Sequence, residues 1–94
     1  MGLNFSVEYH ERVVREDIPK IAPGWRAKIK SAIEEKLTVA PERFGKPLRR
    51  SLRGYCKLRV GAYHVIFGIT GNKVLVFAIQ HRAVVYHNAG KRLW

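Results

Sequence analysis

The sequence predicts an α+β domain in which an N-terminal strand and an αα-hairpin pack on a C-terminal antiparallel β-meander. Three observations predict this class: apolar residues alternate near the start of the chain, recur at helical spacing over residues 10–39, and fill three short runs over residues 55–79. The chain has 94 residues, of which 47% are hydrophobic. This size and composition suit one domain, residues 1–94, with a core of its own.

The N-terminal strand and the first helix are each predicted from an apolar pattern. Over residues 3–9 every second residue is apolar, and these residues are Leu3, Phe5, Val7 and Tyr9. Over residues 10–21 the apolar residues follow helical spacing, and these are Val13, Val14, Ile18 and Ile21. We expect Pro19 to kink or end this helix, because proline lacks the backbone N–H that a helix interior requires.

The second helix is predicted over residues 24–39, after a break at Pro23-Gly24. Its apolar residues at helical spacing are Trp25, Ile29, Ala32, Ile33 and Leu37. Two short helices joined by Pro-Gly form an αα-hairpin. Residues 41–48 contain two prolines and a glycine, which predicts a loop.

The C-terminal half is predicted to form the meander. Residues 55–60 and 63–69 flank Gly61-Ala62, and a glycine in the first central position suits a two-residue type II′ hairpin. Gly71-Asn72 then leads into a third strand over residues 74–79. The last residues, 83–94, are expected to form either a short helix or a loose tail.

These turns predict which side chains share a face of the sheet. Val60 would pair with Tyr63, Arg59 would face His64, and His64 would lie opposite Ile79. His81 would then project from the same side as His64. The basic and imidazole side chains expected to converge on this face are Lys57, Arg59, His64, His81 and Arg82.

Apolar residues are expected on that same face, and these are Ile66, Leu75, Phe77 and Ile79. We therefore expect the C-terminal segment or a partner to cover part of it, because an exposed apolar strip beside a basic rim is typical of an interaction site.

The charge of the chain is strongly segregated. All seven carboxylates lie at or before Glu42, where seven Lys and Arg balance them, and residues 43–94 carry eleven Lys and Arg without any Asp or Glu. The formal charge of +11 thus belongs to the C-terminal half. Such a field indicates a polyanionic partner, with a basic solvated face as the alternative, and it excludes paired-carboxylate hydrolysis in that half.

Several classes of protein fit the sequence poorly. The single Cys56 forms no internal disulfide, and there is no 18-residue apolar run or signal pattern, so we expect a cytoplasmic protein without a membrane partner. The four histidines lack metal-ligand spacing, and no Ser or Cys nucleophile has a His-Asp relay. We therefore expect no metal and no cofactor.

The remaining residue types suit metal-independent cleavage of RNA. In that reaction the substrate's own 2′-hydroxyl attacks the adjacent phosphate, which requires a base, cations for the developing charge and an acid for the leaving oxygen. Lys and Arg supply the charge, while His, Lys or Tyr exchange protons, and Tyr and His can also stack on an unpaired base. A basic RNA- or ribosome-binding module without activity remains an alternative.

Three motifs carry a resemblance to a known family. They are Leu-Arg-Gly at residues 52–54, Lys-Leu-Arg-x-Gly-x-Tyr at residues 57–63 and His-Arg-x-x-Val-Tyr at residues 81–86. With the preceding Pro-Glu-Arg-Phe-Gly-Lys-Pro-Leu stretch, in this order and spacing, the chain resembles the RelE/ParE superfamily of type II toxin–antitoxin toxins over residues 5–86. The resemblance implies a RelE-like microbial RNase fold and an acidic antitoxin partner.

The two branches of this superfamily imply different functions. RelE-like members cut mRNA in the ribosomal A site without metal, whereas ParE-like members inhibit DNA gyrase and are not nucleases. The RelE-like branch is favoured, because Lys57, Arg82 and Tyr86 match its pattern. One departure is His64, where an Arg that contacts the scissile phosphate is usual. A histidine loses the bidentate fork of Arg but titrates near neutral pH.

The resemblance implies roles for Lys57, Arg59, Arg82 and Tyr86, and the chemistry of imidazole adds a role for His64 or His81. Lys57 and Arg59 would stabilise charge on the phosphate, His64 or His81 would exchange protons, Arg82 would hold the phosphate, and Tyr86 would stack on or orient the substrate. The residues expected to bind RNA nearby are Arg49, Arg50, Arg53 and Tyr55.

Overall fold

A five-stranded mixed sheet forms the centre of the fold in the computed structural model, which describes residues 4–93. In chain order the strands are β1 (Ser6–Tyr9), β2 (Lys46–Pro47), β3 (Cys56–Val60), β4 (Tyr63–Thr70) and β5 (Lys73–His81). Their spatial order is β1-β5-β4-β3-β2. β1 runs parallel to β5, whereas the other neighbouring strands are antiparallel. The predicted α+β class, with a C-terminal meander, is confirmed.

The helical segments lie before, between and after the strands. The first is a wide π-type stretch, Val13–Asp17, that tightens into a 3-10 turn at Ile18–Lys20. The helix α1 (Pro23–Ala32) continues as a second π-type stretch, Ile33–Leu37. A short helix α2 (Pro41–Phe44) and a 3-10 turn at Arg50–Leu52 precede β3, and α3 (Val85–Leu93) follows β5. None of these helices has the length and apolar character needed to cross a bilayer.

Two predictions about the N-terminal half are wrong in detail. Val14 does not join the core and is 53% exposed, because the inner side of the first helical stretch is formed by Val13, Asp17 and Ile21, spaced four residues apart. Residues 41–48 are not a plain loop, since they form α2 and β2. Phe5, Val7 and Tyr9 do pack on the core, as the alternation predicts, while Leu3 lies outside the described residues.

The sheet carries a separate hydrophobic core on each face. The larger core lies under α1 and the first helical stretch, and its buried residues are Val13, Ile21, Ile29, Ile33, Leu37, Leu58, Val65, Phe67, Val74, Val76 and Ile79. The smaller core lies under α3, and its buried residues are Leu52, Ile66, Phe77, Ala78, Val85 and Ala89. We expected either the C-terminal segment or a partner to cover part of this face. The structure shows that the C-terminal segment does so, as the helix α3.

Both predicted hairpin turns are confirmed. Val60 pairs with Tyr63 across Gly61-Ala62, and Arg59 faces His64. Gly61 has φ 60°, a left-handed conformation that glycine adopts at little cost. The ring of Trp25 lies against this turn so closely that a Cβ at Gly61 would overlap it. The close contact ties the tip of the β3–β4 hairpin to α1.

A β-bulge in β5 overturns the predicted register beyond it. Ile66 pairs with Ala78 and the next residue, Phe67, pairs with Val76, so Phe77 has no partner on β4. The extra residue places His64 opposite Gln80 rather than Ile79, and Ile79 points into the larger core instead of sharing the face of His64. His81 pairs with Tyr63, which packs on the larger core, so His81 lies on the face of the sheet opposite His64.

A buried ion pair fastens α3 to this bulged strand. Arg92 donates to both carboxylate oxygens of Asp17, at 2.8 Å from Nη1 and 2.6 Å from Nη2, and the two side chains are only 3% and 2% exposed. β1 pairs with β5 only as far as Val76. Beyond that point the Ile79 N–H donates to Asp17 Oδ2 at 2.9 Å, and the Phe77 carbonyl accepts from Arg92 at 2.9 Å. The ion pair therefore supplies the hydrogen bonds that a longer β1 would otherwise make.

Replacement of Asp17 by Asn tests the contribution of this ion pair. Burial raises the pKa of Asp17, but hydrogen bonds from Arg92, Gln80 and the Ile79 N–H outweigh burial, so the pKa lies below its ordinary value. The stabilisation is then fully present above about pH 4, the ordinary aspartate range, and is lost as the pH falls through the folded-state pKa. Asp17→Asn removes the buried carboxylate partner of Arg92, and we expect the free energy of unfolding to fall by about 3–5 kcal/mol in urea denaturation at pH 7.

Glu16→Gln is the matched control for Asp17→Asn. Glu16 immediately precedes Asp17, lies 3.9 Å from Arg92 and is well exposed, so its replacement should change stability little. Equal unfolding midpoints for the two variants would contradict the structural role given to Asp17.

Candidate functional site

His64 lies at one end of a hydrogen-bonded line of three side chains from β3, β4 and α3, with Tyr86 in the middle and Lys57 at the other end. Its Nδ1 is 3.1 Å from the hydroxyl of Tyr86, and Lys57 Nζ donates to that hydroxyl at 3.0 Å. Lysine has no acceptor, so Tyr86 accepts from Lys57 and its own proton is free for Nδ1. In that arrangement a neutral imidazole carries its proton on Nε2, and the three groups form a continuous path for a proton.

The environment of His64 favours the neutral imidazole. The residue is only 6% exposed. Burial lowers its pKa, and the charges of Lys57, Arg59, Arg82 and His81 lower it further. A neutral histidine is a competent proton acceptor at neutral pH.

Local structure explains how each of these side chains reaches the site. Arg59 lies opposite His64 on β3, and its Nε donates to the Gly61 carbonyl at 3.2 Å. The backbone N–H of Arg82 donates to the Ala62 carbonyl at 2.9 Å, which holds Arg82 beside the same hairpin turn. Tyr86 is brought to His64 because its neighbour Val85 anchors α3 in the smaller core.

A cleft of about 470 Å³ opens beside this line of side chains. Its lining consists mainly of cations, contains no carboxylate, and is formed by Lys36, Phe44, Lys46, Lys57, Leu58, Arg59, His64 and Arg82. β2 pairs with only Cys56 and Lys57 of β3, so the cleft lies where the edge of β3 away from β4 is uncovered. Five Lys and Arg around one small cleft create a positive field that favours an anion there.

The structure brings together most of the predicted site residues but not all. Lys57, Arg59, His64 and Arg82 lie together, with Tyr86 bonded to two of them. His81 does not join them. Its Nδ1 accepts the Ala83 N–H at 3.2 Å, and its ring packs edge-on to Tyr63 with centroids 6.1 Å apart.

The residues predicted to bind RNA occupy two kinds of position. Arg49, Arg50 and Arg53 are exposed on the segment between β2 and β3. Arg50 has φ 58°, which is uncommon for a residue other than glycine. Tyr55 stacks on Phe77 with centroids 5.4 Å apart and is partly buried against the smaller core. Its ring is therefore occupied by a contact within the protein.

Sequence reasoning missed three residues of the cleft, namely Lys36, Phe44 and Lys46. Lys46 is placed by the β2–β3 pairing, which puts it opposite Lys57. Lys36 belongs to the half of the chain in which charges balance, so the segregation of charge did not identify it as a site residue. No metal-binding group of three or more His, Cys, Asp or Glu occurs within residues 4–93.

On this small α+β fold the structure places a buried histidine beside a cationic cleft without carboxylates, an arrangement that favours an anionic partner. Comparison with known proteins identifies the family. Residues 7–86 match the family model described as the ParE toxin of the type II toxin-antitoxin system parDE. The chain belongs to the RelE/ParE superfamily of type II toxin–antitoxin toxins.

Individual relatives are of the RelE kind. Toxin RelG of Mycobacterium tuberculosis is 34% identical over 74 residues, which cover 77% of this chain and 85% of that protein. The toxin–antitoxin complex RelBE2 of M. tuberculosis contains a chain that is 30% identical, with a TM-score of 0.78, over 86% of this chain and 94% of that one. A mutant of Escherichia coli RelE in the free state is 18% identical with a TM-score of 0.67, over 97% and 99% of the two chains, which shows the shared fold.

Removal of one cation tests the environment of His64. We expect Lys57→Gln to raise the pKa of His64 part of the way towards its ordinary value, because one of the charges that disfavour the imidazolium is lost while burial remains. The pKa is measured by NMR titration of the imidazole signals. Lys73→Gln is the control, since Lys73 pairs with Glu8 at 3.6 Å and does not line the cleft. Equal effects of the two variants, or none from Lys57→Gln, would contradict this account.

Proposed function

We propose that this toxin is a ribosome-dependent mRNA endonuclease that cleaves without a metal ion. The observation that carries the proposal is the path from buried His64 through Tyr86 to Lys57 beside the cationic cleft. The similarity to RelE-type toxins supports it, since the RelE-like branch is the nuclease branch of the superfamily.

The chemistry divides among the side chains according to their exposure. His64 is buried, whereas Tyr86 is 37% exposed, so Tyr86 is the member of the path that meets the substrate. The Tyr86 oxygen takes the proton of the 2′-hydroxyl while its own proton passes to Nδ1 of His64. The 2′-oxygen then bonds to phosphorus, the bond to the 5′-oxygen breaks, and Lys57 gives that oxygen a proton. The products are a 2′,3′-cyclic phosphate and a 5′-hydroxyl.

The cations of the cleft support this reaction in two ways. Arg59 and Arg82 bind the scissile phosphate and stabilise the extra negative charge of the transition state. Lys57 donates a hydrogen bond to the Tyr86 hydroxyl at 3.0 Å and so holds it beside the cleft. His64 stands where the family pattern has an Arg, so in this chain the position serves proton transfer in place of direct phosphate binding.

Tyr86→Phe tests whether Tyr86 acts in the proton path from His64 to Lys57 or only stacks on the substrate. The variant keeps the ring and loses only the hydroxyl that links Lys57 and His64. We expect A-site cleavage, followed by primer extension on programmed ribosomes, to slow by about 10²- to 10⁴-fold. We expect Lys57→Ala and His64→Ala to be similarly slow, and Lys73→Ala to cleave like the parent.

Each other outcome of this experiment has a definite meaning. Full activity of Tyr86→Phe would exclude the proton path and leave Tyr86 as a stacking residue. A folded parent protein that cleaves nothing would overturn the nuclease proposal. In that case inhibition of DNA gyrase becomes the function to test, by a supercoiling assay, because the family model that matches is that of ParE toxins.

We also propose an acidic antitoxin as the partner that holds this toxin inactive. The formal charge of +11 and the exposed Val84 and Tyr86 near the start of α3 suit an acidic, amphipathic segment. Two of the structures similar to this chain are RelB–RelE type complexes of a toxin with its antitoxin, from M. tuberculosis and Methanococcus jannaschii.

Protection from proteolysis tests this partner. We expect an acidic amphipathic peptide to slow proteolysis of the C-terminal segment, residues 82–93, because it would cover that surface, and we expect added salt to weaken the protection. A scrambled peptide of the same composition is the control. Unchanged digestion, or equal protection by the scrambled peptide, would count against an amphipathic antitoxin at this surface.

A further inference from the structure

Phe44 lies at the rim of the cationic cleft and has no part in the chemistry described above. Phe44 is 42% exposed, and Lys36 Nζ lies 5.8 Å from the centroid of its ring. A single exposed aromatic residue is ordinary on a protein surface. An aromatic ring among five Lys and Arg and a histidine, in a cleft without carboxylates, is a more specific arrangement.

The backbone around Phe44 fixes the position of the ring. α2 begins at buried Pro41, and the Phe44 N–H donates to the Ala40 carbonyl at 3.1 Å. The next residue, Gly45, donates to the Pro41 carbonyl at 2.9 Å and is packed so tightly that a Cβ would overlap the ring of Phe67 in the larger core. The segment that carries Phe44 is thus anchored on both sides, and the ring is presented from a rigid support.

Cations around an exposed aromatic ring suit single-stranded nucleic acid. Unpaired bases stack on aromatic side chains while Lys and Arg bind the phosphates on either side. Among residues 4–93, Phe44 is the only exposed large apolar residue that lines the cleft, and the side chains around it are charged. An apolar protein segment would therefore find little apolar surface to pack against here. The residues therefore favour RNA over a peptide as the occupant.

We propose that Phe44 is the stacking platform for an unpaired nucleobase adjacent to the scissile phosphate, and that Lys36 and Lys46 bind the phosphates flanking that base. This assignment rests on the proposed function, because it extends the substrate-binding surface of the same cleft. It adds a base-binding subsite to a site that otherwise contacts only the phosphate and the 2′-hydroxyl.

The subsite is tested by binding, without the ribosome and without cleavage. The probes are a 2′-O-methylated single-stranded hexaribonucleotide, which cannot react, and a set of the same oligonucleotide with one abasic position each. Affinity is measured by fluorescence anisotropy for the parent, Phe44→Ala, Phe44→Leu and Phe44→Trp. Val39→Ala is the matched control, because Val39 is 55% exposed on the preceding turn and lies outside the cleft.

We expect Phe44→Ala to weaken binding of the intact oligonucleotide by about 5- to 150-fold, the range measured for loss of one base–aromatic stack. One abasic position should weaken binding to the parent by a similar factor and should abolish the effect of Phe44→Ala. Phe44→Trp should bind like the parent, Phe44→Leu like Phe44→Ala, and Val39→Ala like the parent.

Two results would overturn the assignment. One is an unchanged affinity of Phe44→Ala, or a Leu variant as tight as the parent, since stacking needs the ring. The other is a Phe44→Ala variant whose affinity for the oligonucleotide is unchanged while its affinity for the acidic amphipathic peptide is lost, which would make the rim a protein-docking site. The ribosome cleavage assay distinguishes failure of the base-binding subsite from failure of the proposed nuclease function. If the parent protein cleaves mRNA and Phe44→Ala binds and cleaves equally well, only the base-binding subsite is refuted. If the parent protein binds the oligonucleotide through Phe44 but never cleaves mRNA, only the nuclease proposal is refuted.

Discussion

The ion pair between Asp17 and Arg92 determines how the C-terminal helix sits on the sheet. It joins the first helical stretch to α3. It also makes hydrogen bonds to the backbone of β5 at Phe77 and Ile79, beyond the point where β1 pairs with that strand. Gln80 extends it, donating to Asp17 at 2.8 Å and accepting from Asn88 of α3 at 2.7 Å. A buried pair of this kind adds little net stability compared with apolar residues, but removal of either partner is costly. Its main consequence is therefore a single position for α3, and with it for Tyr86.

The bulge at Phe77 and the ion pair depend on each other. An extra residue in β5 leaves a carbonyl without a strand partner, and Arg92 satisfies it. The bulge also turns Ile79 into the larger core and places His81 on that same face of the sheet. Of His64 and His81, only His64 therefore lines the cleft. Bulges often re-aim side chains near functional sites, and here the effect is to leave His64 alone among cations.

The distribution of charge explains the character of the site. Residues 43–94 carry eleven Lys and Arg. One of these, Arg92, forms a buried ion pair with Asp17. Four others line the cleft, and these are Lys46, Lys57, Arg59 and Arg82. With no carboxylate nearby to hold a proton on His64, burial and surrounding positive charge both favour the neutral imidazole. The same field that attracts a polyanion therefore prepares His64 to accept a proton.

Much of the fold was determined by local patterns in the sequence. Alternation placed β1, and the glycines at residues 61 and 71 fixed two turns because few other residues adopt their backbone conformation, so the pairing of Arg59 with His64 could be predicted. Segregated charge likewise indicated a basic surface. Only the tertiary structure decided the bulge, the wide turns of the first helix and the addition of Lys36, Phe44 and Lys46 to the cleft. These features arise from contacts between residues far apart in the chain, such as Asp17 with Arg92, and neither spacing nor composition encodes such contacts.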